Sequence, residues 1–365
     1  MRVEWIALAA IFSALLTWAL AHFAGALGMI DHPGGHKHHR EPVAMVGGLA
    51  IALAITMVLG FSAASLPSAQ RVLLAAAFAM LLIGLADDRV RLGAHTRFLA
   101  QAVVAMALGL AGDTLLIDLG ALFDGEDVVH LGWFALPLTI FSVVGVMNAC
   151  NMSDGLDGAA AGMVVLALGG AIFLAFGHAF APHMQIAATV LGAVLGFMVW
   201  NMPLLCSARA YLGDGGSLLL GTFIAWTLVA FSQGADRAFA PVVALWLYAV
   251  PLIDTVSVMW RRVSDGLSPF QPDQRHLHHI LLRAGMSART AWLILMLAAL
   301  ACVLVAIAAT RASWPEPAMA AAFLALAFSH HWLMRSADRS GRWCGCTLAA
   351  SVAAPALPPC RAEHD

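Results

Sequence analysis

Eleven apolar stretches, each long enough to cross a bilayer as a helix, occupy most of this chain and leave few folds open to it. They lie near 3–28, 45–61, 70–86, 98–118, 131–149, 158–177, 185–204, 216–232, 239–260, 291–310 and 316–334. In lipid, only helices and closed barrels satisfy their own backbone polar groups, and runs of this length are helical. The expected fold is therefore all-α, a polytopic integral membrane protein of about eleven transmembrane helices, held within residues 1–335. Composition agrees: 61% of residues are hydrophobic and 11% charged, where a soluble domain carries about 25% charged residues. Arg2 and Glu4 give the first stretch a charged start like that of a signal peptide, but its length and the ten spans behind it predict retention. Residues 336–365, rich in Ala and Pro, read as a disordered cytoplasmic tail.

The cationic residues predict orientation. Fifteen of the nineteen Lys and Arg side chains lie in or beside the odd-numbered loops and the tail; Arg2, Arg71, Arg237 and Arg311 are the exceptions. The odd loops are then cytoplasmic, with the N-terminus periplasmic and the C-terminus cytoplasmic. A net charge of −2 points away from nucleic acid. The six cysteines form neither a zinc pattern nor a disulfide framework. No internal repeat is visible, unlike many transporters, and nothing in the sequence specifies an oligomeric state.

Five polar clusters interrupt the apolar pattern, and all fall on the odd-loop side. Asp87-Asp88 closes the third stretch. Two adjacent acids at a helix C-terminus oppose the helix dipole, so they read either as a solvated helix end or as a magnesium site or general base. In Asn148-Ala-Cys-Asn151-Met-Ser-Asp154-Gly-Leu-Asp157-Gly158, Asp154 and Asp157 share a face if helical. The two asparagines add amide groups, and Gly155 and Gly158 remove side chains where a phosphate or another backbone could approach. Such hard oxygen donors suit Mg²⁺; a helix-capping turn is the plainer alternative. Gly213-Asp214-Gly-Gly-Ser217 opens the eighth stretch, where glycines before a helix leave N–H groups for an anion. No Lys-Ser/Thr follows, so it is not a Walker loop.

The ninth loop carries Asp273-Gln-Arg275-His276-Leu-His278-His279, cations able to grip a diphosphate, with zinc as the competing ligand. In the first loop, Lys37 with His36, His38, His39 and Arg40 forms a basic patch suited to an anionic head group or to anchoring the span ends. Asp254 falls about 10 Å inside the ninth stretch at 1.5 Å per residue. A charge there is costly, so it should face protein or a water-filled cavity, as a functional site or as a buried polar pair.

Taken in order and spacing, Asp87-Asp88, the Asn-x-x-Asn-Met-x-Asp-Gly-x-Asp-Gly run, Gly-Asp-Gly-Gly-Ser and Ser-Pro-Phe-x-Pro-Asp-x-x-His-x-His-His resemble the polyprenyl-phosphate N-acetylhexosamine-1-phosphate transferases over residues 1–335. The resemblance implies transfer of N-acetylglucosamine 1-phosphate from UDP-N-acetylglucosamine to undecaprenyl phosphate, with release of UMP, at the cytoplasmic face of the bacterial inner membrane. The product would start a lipid-linked glycan such as O-antigen. It implies Mg²⁺, or Mn²⁺ in its place, held by Asp157 and Asp214 with Asn151 nearby. Asp87 and Asp88 would be catalytic, binding or deprotonating the lipid phosphate or completing the metal shell. His276, His278 and His279 would contact the nucleotide diphosphate, and Asn148, Asp154, Arg275 and Lys37 are further candidate substrate contacts. Two departures stand out. Arg91 occupies a position where the family often has an acid, and the first loop has His36 before Lys37 and Ala44 in place of a proline. The rival classes are an ion-coupled transporter and an intramembrane aspartyl protease. Both need acids within the membrane, whereas only Asp254 lies clearly inside a stretch.

Overall fold

The computed structural model describes residues 3–31, 42–60, 66–123, 127–178, 181–202, 208–269 and 273–340. The basic patch at 36–40, Lys37 included, and the tail beyond Ser340 lie outside the described residues. Thirteen described α-helices carry the fold. They are α1 (Val3–Phe23), α2 (Gly47–Gly60), α3 (Ser68–Val90), α4 (Ala94–Ala111), α5 (Ala135–Met152), α6 (Ala159–Ala175), α7 (Ala181–Asn201), α8 (Gly213–Ser232), α9 (Pro241–Leu247), α10 (Ala249–Ser264), α11 (Leu277–Arg283), α12 (Ala288–Arg311) and α13 (Glu316–Ser340). The described strands, β1 (Ile30–Asp31) and β2 (Val43–Ala44), pair antiparallel with Ile30 opposite Ala44.

Every one of the eleven apolar stretches contains helix, and the chain is an all-α polytopic membrane protein. Eight described helices are long and apolar enough to cross a bilayer alone. At 1.5 Å per residue, α2 and α6 reach only about 21 Å and about 25 Å, short of a core of about 30 Å. The ninth stretch, read as one straight span, is broken: α9 and α10 meet at 84°. Pro251 supplies the reason, because its ring clashes with the carbonyl four residues back, that of Leu247, where α9 ends. The fourth stretch also ends early, at Gly112, and Asp113 follows in the left-handed region. Residues 112–123 then form an ordered loop, joined to 127–134 by the Asp118–His130 bridge.

The centre of the bundle is α8, buried at every residue from Gly215 to Ser232 and packed against α2, α3, α5 and α6. Hydrocarbon tails are as apolar as the side chains, so close packing rather than water exclusion holds such helices together. Small residues permit it. A Cβ on Gly192 or Gly196 of α7 would stand 2.2 Å or 2.1 Å from a carbonyl oxygen of α1, at Ile6 and Ala10. Two more glycine pairs fix the start of α8. A Cβ on Gly84 of α3 would lie 2.3 Å from Gly215 Cα, and one on Gly48 of α2 would lie 2.4 Å from Gly216 Cα.

Candidate active site

The acids predicted from separate motifs meet around the start of α8. Gly213 takes φ +73°, a conformation open to glycine, and turns the chain into the helix. The first N–H groups of a helix have no partner within it; here those of Asp214 and Gly215 donate to Asp88 Oδ1 and Oδ2 at 3.1 Å and 3.4 Å. The anion expected at these N–H groups is thus the protein's own Asp88. Gly215 and Gly216 serve mainly to let α3 and α2 approach, as the contacts above require.

Asn151, near the end of α5, reaches the same point. Its Nδ2 donates to Asp214 Oδ1 at 2.8 Å and to Ser217 Oγ at 2.9 Å, and Ser217 Oγ donates in turn to the Asp214 carbonyl at 3.1 Å. The turn after α5 then presents Asp154 and Asp157. Burial, followed by the negative charges of Asp214, Asp157 and Asp88, holds the Asp154 carboxyl well above the usual carboxylate range. Burial and the charges of Asp157, Asp31 and Asp154 likewise raise the Tyr211 hydroxyl. Asp88, Asp154, Asp157 and Asp214, from three separate motifs, therefore feel one another's charge.

Asp87 faces elsewhere. It is 5% exposed, accepts from Leu92 N–H at 2.6 Å and pairs with Arg97 Nη1 of α4 at 2.7 Å. That capping interaction folds the chain back from α3 into α4, although the Asp87 carboxyl also comes within hydrogen-bonding reach of Asp214. Asn148 is similarly occupied, donating to Gln101 Oε1 of α4 at 2.7 Å and to the Val144 carbonyl at 2.8 Å.

The histidine loop closes over the Asp154–Asp157 turn. His278 is buried, and a Cβ on Gly155 would fall 2.1 Å from its Nε2, so only a glycine lets the two surfaces meet. Its ring lies parallel to that of His276, with centroids 5.9 Å apart, and 4.1 Å from that of His279. His276 Nδ1 is 2.8 Å from Asp254 Oδ2. Asp254 is therefore a buried polar partner for the loop. Arg275 pairs with Asp265 at 2.5 Å.

Several contributors escape single-motif reading. The buried Arg262 of α10 binds Asp273 Oδ2 at 2.7 Å and the Ser268 carbonyl at 2.6 Å, while Arg261 donates to the Arg275 carbonyl at 2.6 Å. Both appeared in the sequence only as loop charges. Asn201, at the end of α7, accepts from Gly158 N–H and donates to the Ala210 carbonyl, each at 2.8 Å. It staples the Asp157 turn to the segment leading into Gly213. A lone asparagine ending an apolar run was its only signal.

A bundle of apolar helices that gathers carboxylates, amides and histidines around the start of α8 has the make-up of an integral membrane enzyme. Residues 70–232 match glycosyl transferase family 4. The chain is 32% identical over 340 residues to the undecaprenyl-phosphate alpha-N-acetylglucosaminyl 1-phosphate transferase of Escherichia coli K12, covering 91% of both chains. It is 30% identical to that of Yersinia pestis, with 91% of each covered, and 31% identical to that of Haemophilus influenzae, with 88% of this chain and 90% of the relative covered. The chain belongs to glycosyl transferase family 4.

Proposed function

We propose that this protein transfers N-acetylglucosamine 1-phosphate from UDP-N-acetylglucosamine to undecaprenyl phosphate and releases UMP, starting a lipid-linked glycan such as O-antigen. The reaction takes place at the cytoplasmic face of the bacterial inner membrane, the face to which the Lys and Arg bias assigns the acidic cluster. The observation that carries the reading is the meeting of Asp88, Asp154, Asp157 and Asp214 around Asn151 and the start of α8. The names of the relatives support the acceptor and the sugar.

Among the described residues no three His, Cys, Asp or Glu side chains form a ready-made metal cage. Mg²⁺ needs none: it commonly takes one or two carboxylates, with waters and substrate phosphates completing its shell. The donor set fits, since hard oxygens gather here, and burial together with their mutual repulsion holds the Asp154 carboxyl well above the usual carboxylate range. Asp157 and Asp214 would hold Mg²⁺, or Mn²⁺ in its place. Such a cation neutralises phosphate charge, the main task in phosphoryl transfer.

Asn151 holds the Asp214 carboxylate in place through its amide hydrogen. Asp88, fixed by two backbone N–H groups, meets the acceptor phosphate, and Asp87 keeps α3 and α4 in register through Arg97. An acceptor phosphate oxygen attacks the sugar-linked phosphorus, the bond to the bridging oxygen breaks, and UMP departs. His278, His279 and Arg275 contact the diphosphate, with His276 beside them.

The test is UMP release by purified protein given both substrates and Mg²⁺, with and without EDTA. Release that EDTA stops, and that Asp157→Asn and Asp214→Asn each abolish, supports the assignment. Release from another UDP-sugar alone moves the donor, and no release from any UDP-sugar by folded protein refutes the reaction.

A further inference from the structure

Asp254 stands on α10, 9% exposed, in a segment where an uncompensated carboxylate is costly. Two groups hydrogen-bond it and a third lies close by. Asp254 Oδ2 is 2.8 Å from His276 Nδ1, Oδ1 accepts from Leu277 N–H at 3.0 Å, and His330 Nε2 of α13 lies 3.4 Å from Oδ1. An ionised carboxylate only accepts hydrogen bonds, so the His276 hydrogen resides on Nδ1 and Nε2 is the acceptor nitrogen. The ring sits just before α11, with φ −65° and ψ 153°. From there it lies parallel to His278, which rests on Gly155 between Asp154 and Asp157.

We propose that Asp254 is a positioning residue, fixing the tautomer and orientation of His276 so that Nε2 accepts from a hydroxyl or N–H group of the UDP-sugar, with His330 of the last helix beside the carboxylate. The inference rests on the transferase reading above for its ligand, but the geometry is the chain's own. It gives α13 a part in the site, since α13 otherwise packs on the outside of the bundle against α9 and α10.

Asp254→Asn separates orientation from packing. The amide oxygen can still accept from Leu277 N–H, preserving the start of α11. The amide NH₂ then faces His276 Nδ1 and forces the ring hydrogen onto Nε2. The expected result is a fall in kcat of about 10–100-fold, as for lost partners behind a ligating histidine. KM for the UDP-sugar should move by less than about threefold, since substrate still reaches the site. The melting temperature should hold, and Asp254→Glu should recover part of kcat. Nitrogen NMR of labelled histidine, with the His276 signal found by its loss in His276→Gln, should show Nδ1–H in the parent and Nε2–H in Asp254→Asn. The same tautomer in both proteins overturns the proposal, as does an unchanged kcat. So does a fall in kcat that tracks a lower melting temperature and is not recovered by Asp254→Glu. If the parent protein releases no UMP, the transferase reading fails, and the tautomer comparison still decides the role of Asp254.

Discussion

Gly84→Ala adds one methyl group to α3 and should disable the site one helical turn away. In the native packing the new Cβ would stand 2.3 Å from Gly215 Cα and 2.4 Å from Gly215 N. Carbon atoms in contact prefer about 3.5–4.0 Å, so α3 and α8 must part locally by about 1.2 Å. Gly84 and Asp88 share a helix face, four residues apart, and the Asp88 bonds to Asp214 N and Gly215 N already measure 3.1 Å and 3.4 Å. Parting of that size breaks both. A displacement of about 1 Å in a catalytic group costs about 100-fold in rate, and overpacking costs about 1–3 kcal/mol of stability. UMP release per folded molecule, with a melting curve in the same detergent, measures both effects. Gly169→Ala on α6 is the control, because nothing lies within 4 Å of the added Cβ. It should leave activity intact and stabilise the helix by up to about 1 kcal/mol. If Gly84→Ala keeps more than half of the parent activity at an unchanged melting temperature, the glycine contact does not set the site and the argument fails.

Two further outcomes follow from the acidic cluster. Asn151→Ala removes the donor 2.8 Å from Asp214 Oδ1 and should cut turnover about 10–100-fold, the equivalent of one charge-assisted hydrogen bond; an effect below twofold would exclude Asn151 from holding Asp214. Metal-free protein should lose stability as pH rises above 3.8, the ordinary Asp value. Asp154 keeps its proton in the folded chain where the unfolded chain has released it, so folding binds protons and weakens with rising pH. Melting temperatures across that range should show the slope, and Asp154→Asn should flatten it; an equal slope in the variant would place the effect elsewhere.

The helical architecture and the acids of the site were legible because each is written locally. Length and apolarity specify a span without reference to other spans, and Asp154, Asp157 and Asp214 sit in short turns whose glycines mark them. What depends on a partner from elsewhere was not legible. The bend at Tyr248 follows from Pro251, yet its 84° angle is set by packing. Asp87 and Asp88 are neighbours in the sequence, but α3 aims one at Arg97 and the other at the start of α8. Asn201 and His330 join segments far apart in the chain, so neither sits in a motif that could reveal it.

That distinction explains why Gly213-Asp214-Gly-Gly-Ser217 is so dense in small residues. Read alone, the glycines suggest room for a phosphate. In the fold, Gly215 and Gly216 touch the backbones of α3 and α2, and the freed N–H groups at 214 and 215 go to Asp88. The small residues therefore position acids, because a bulky side chain at 215 or 216 would hold apart the helices that bring Asp88 beside Asp214. In the reaction proposed above, an anionic substrate would meet a set of carboxylates already fixed by backbone contact. Rigid placement of this kind lowers the ordering cost of a reaction, and it makes the glycines as necessary to the arrangement as the aspartates.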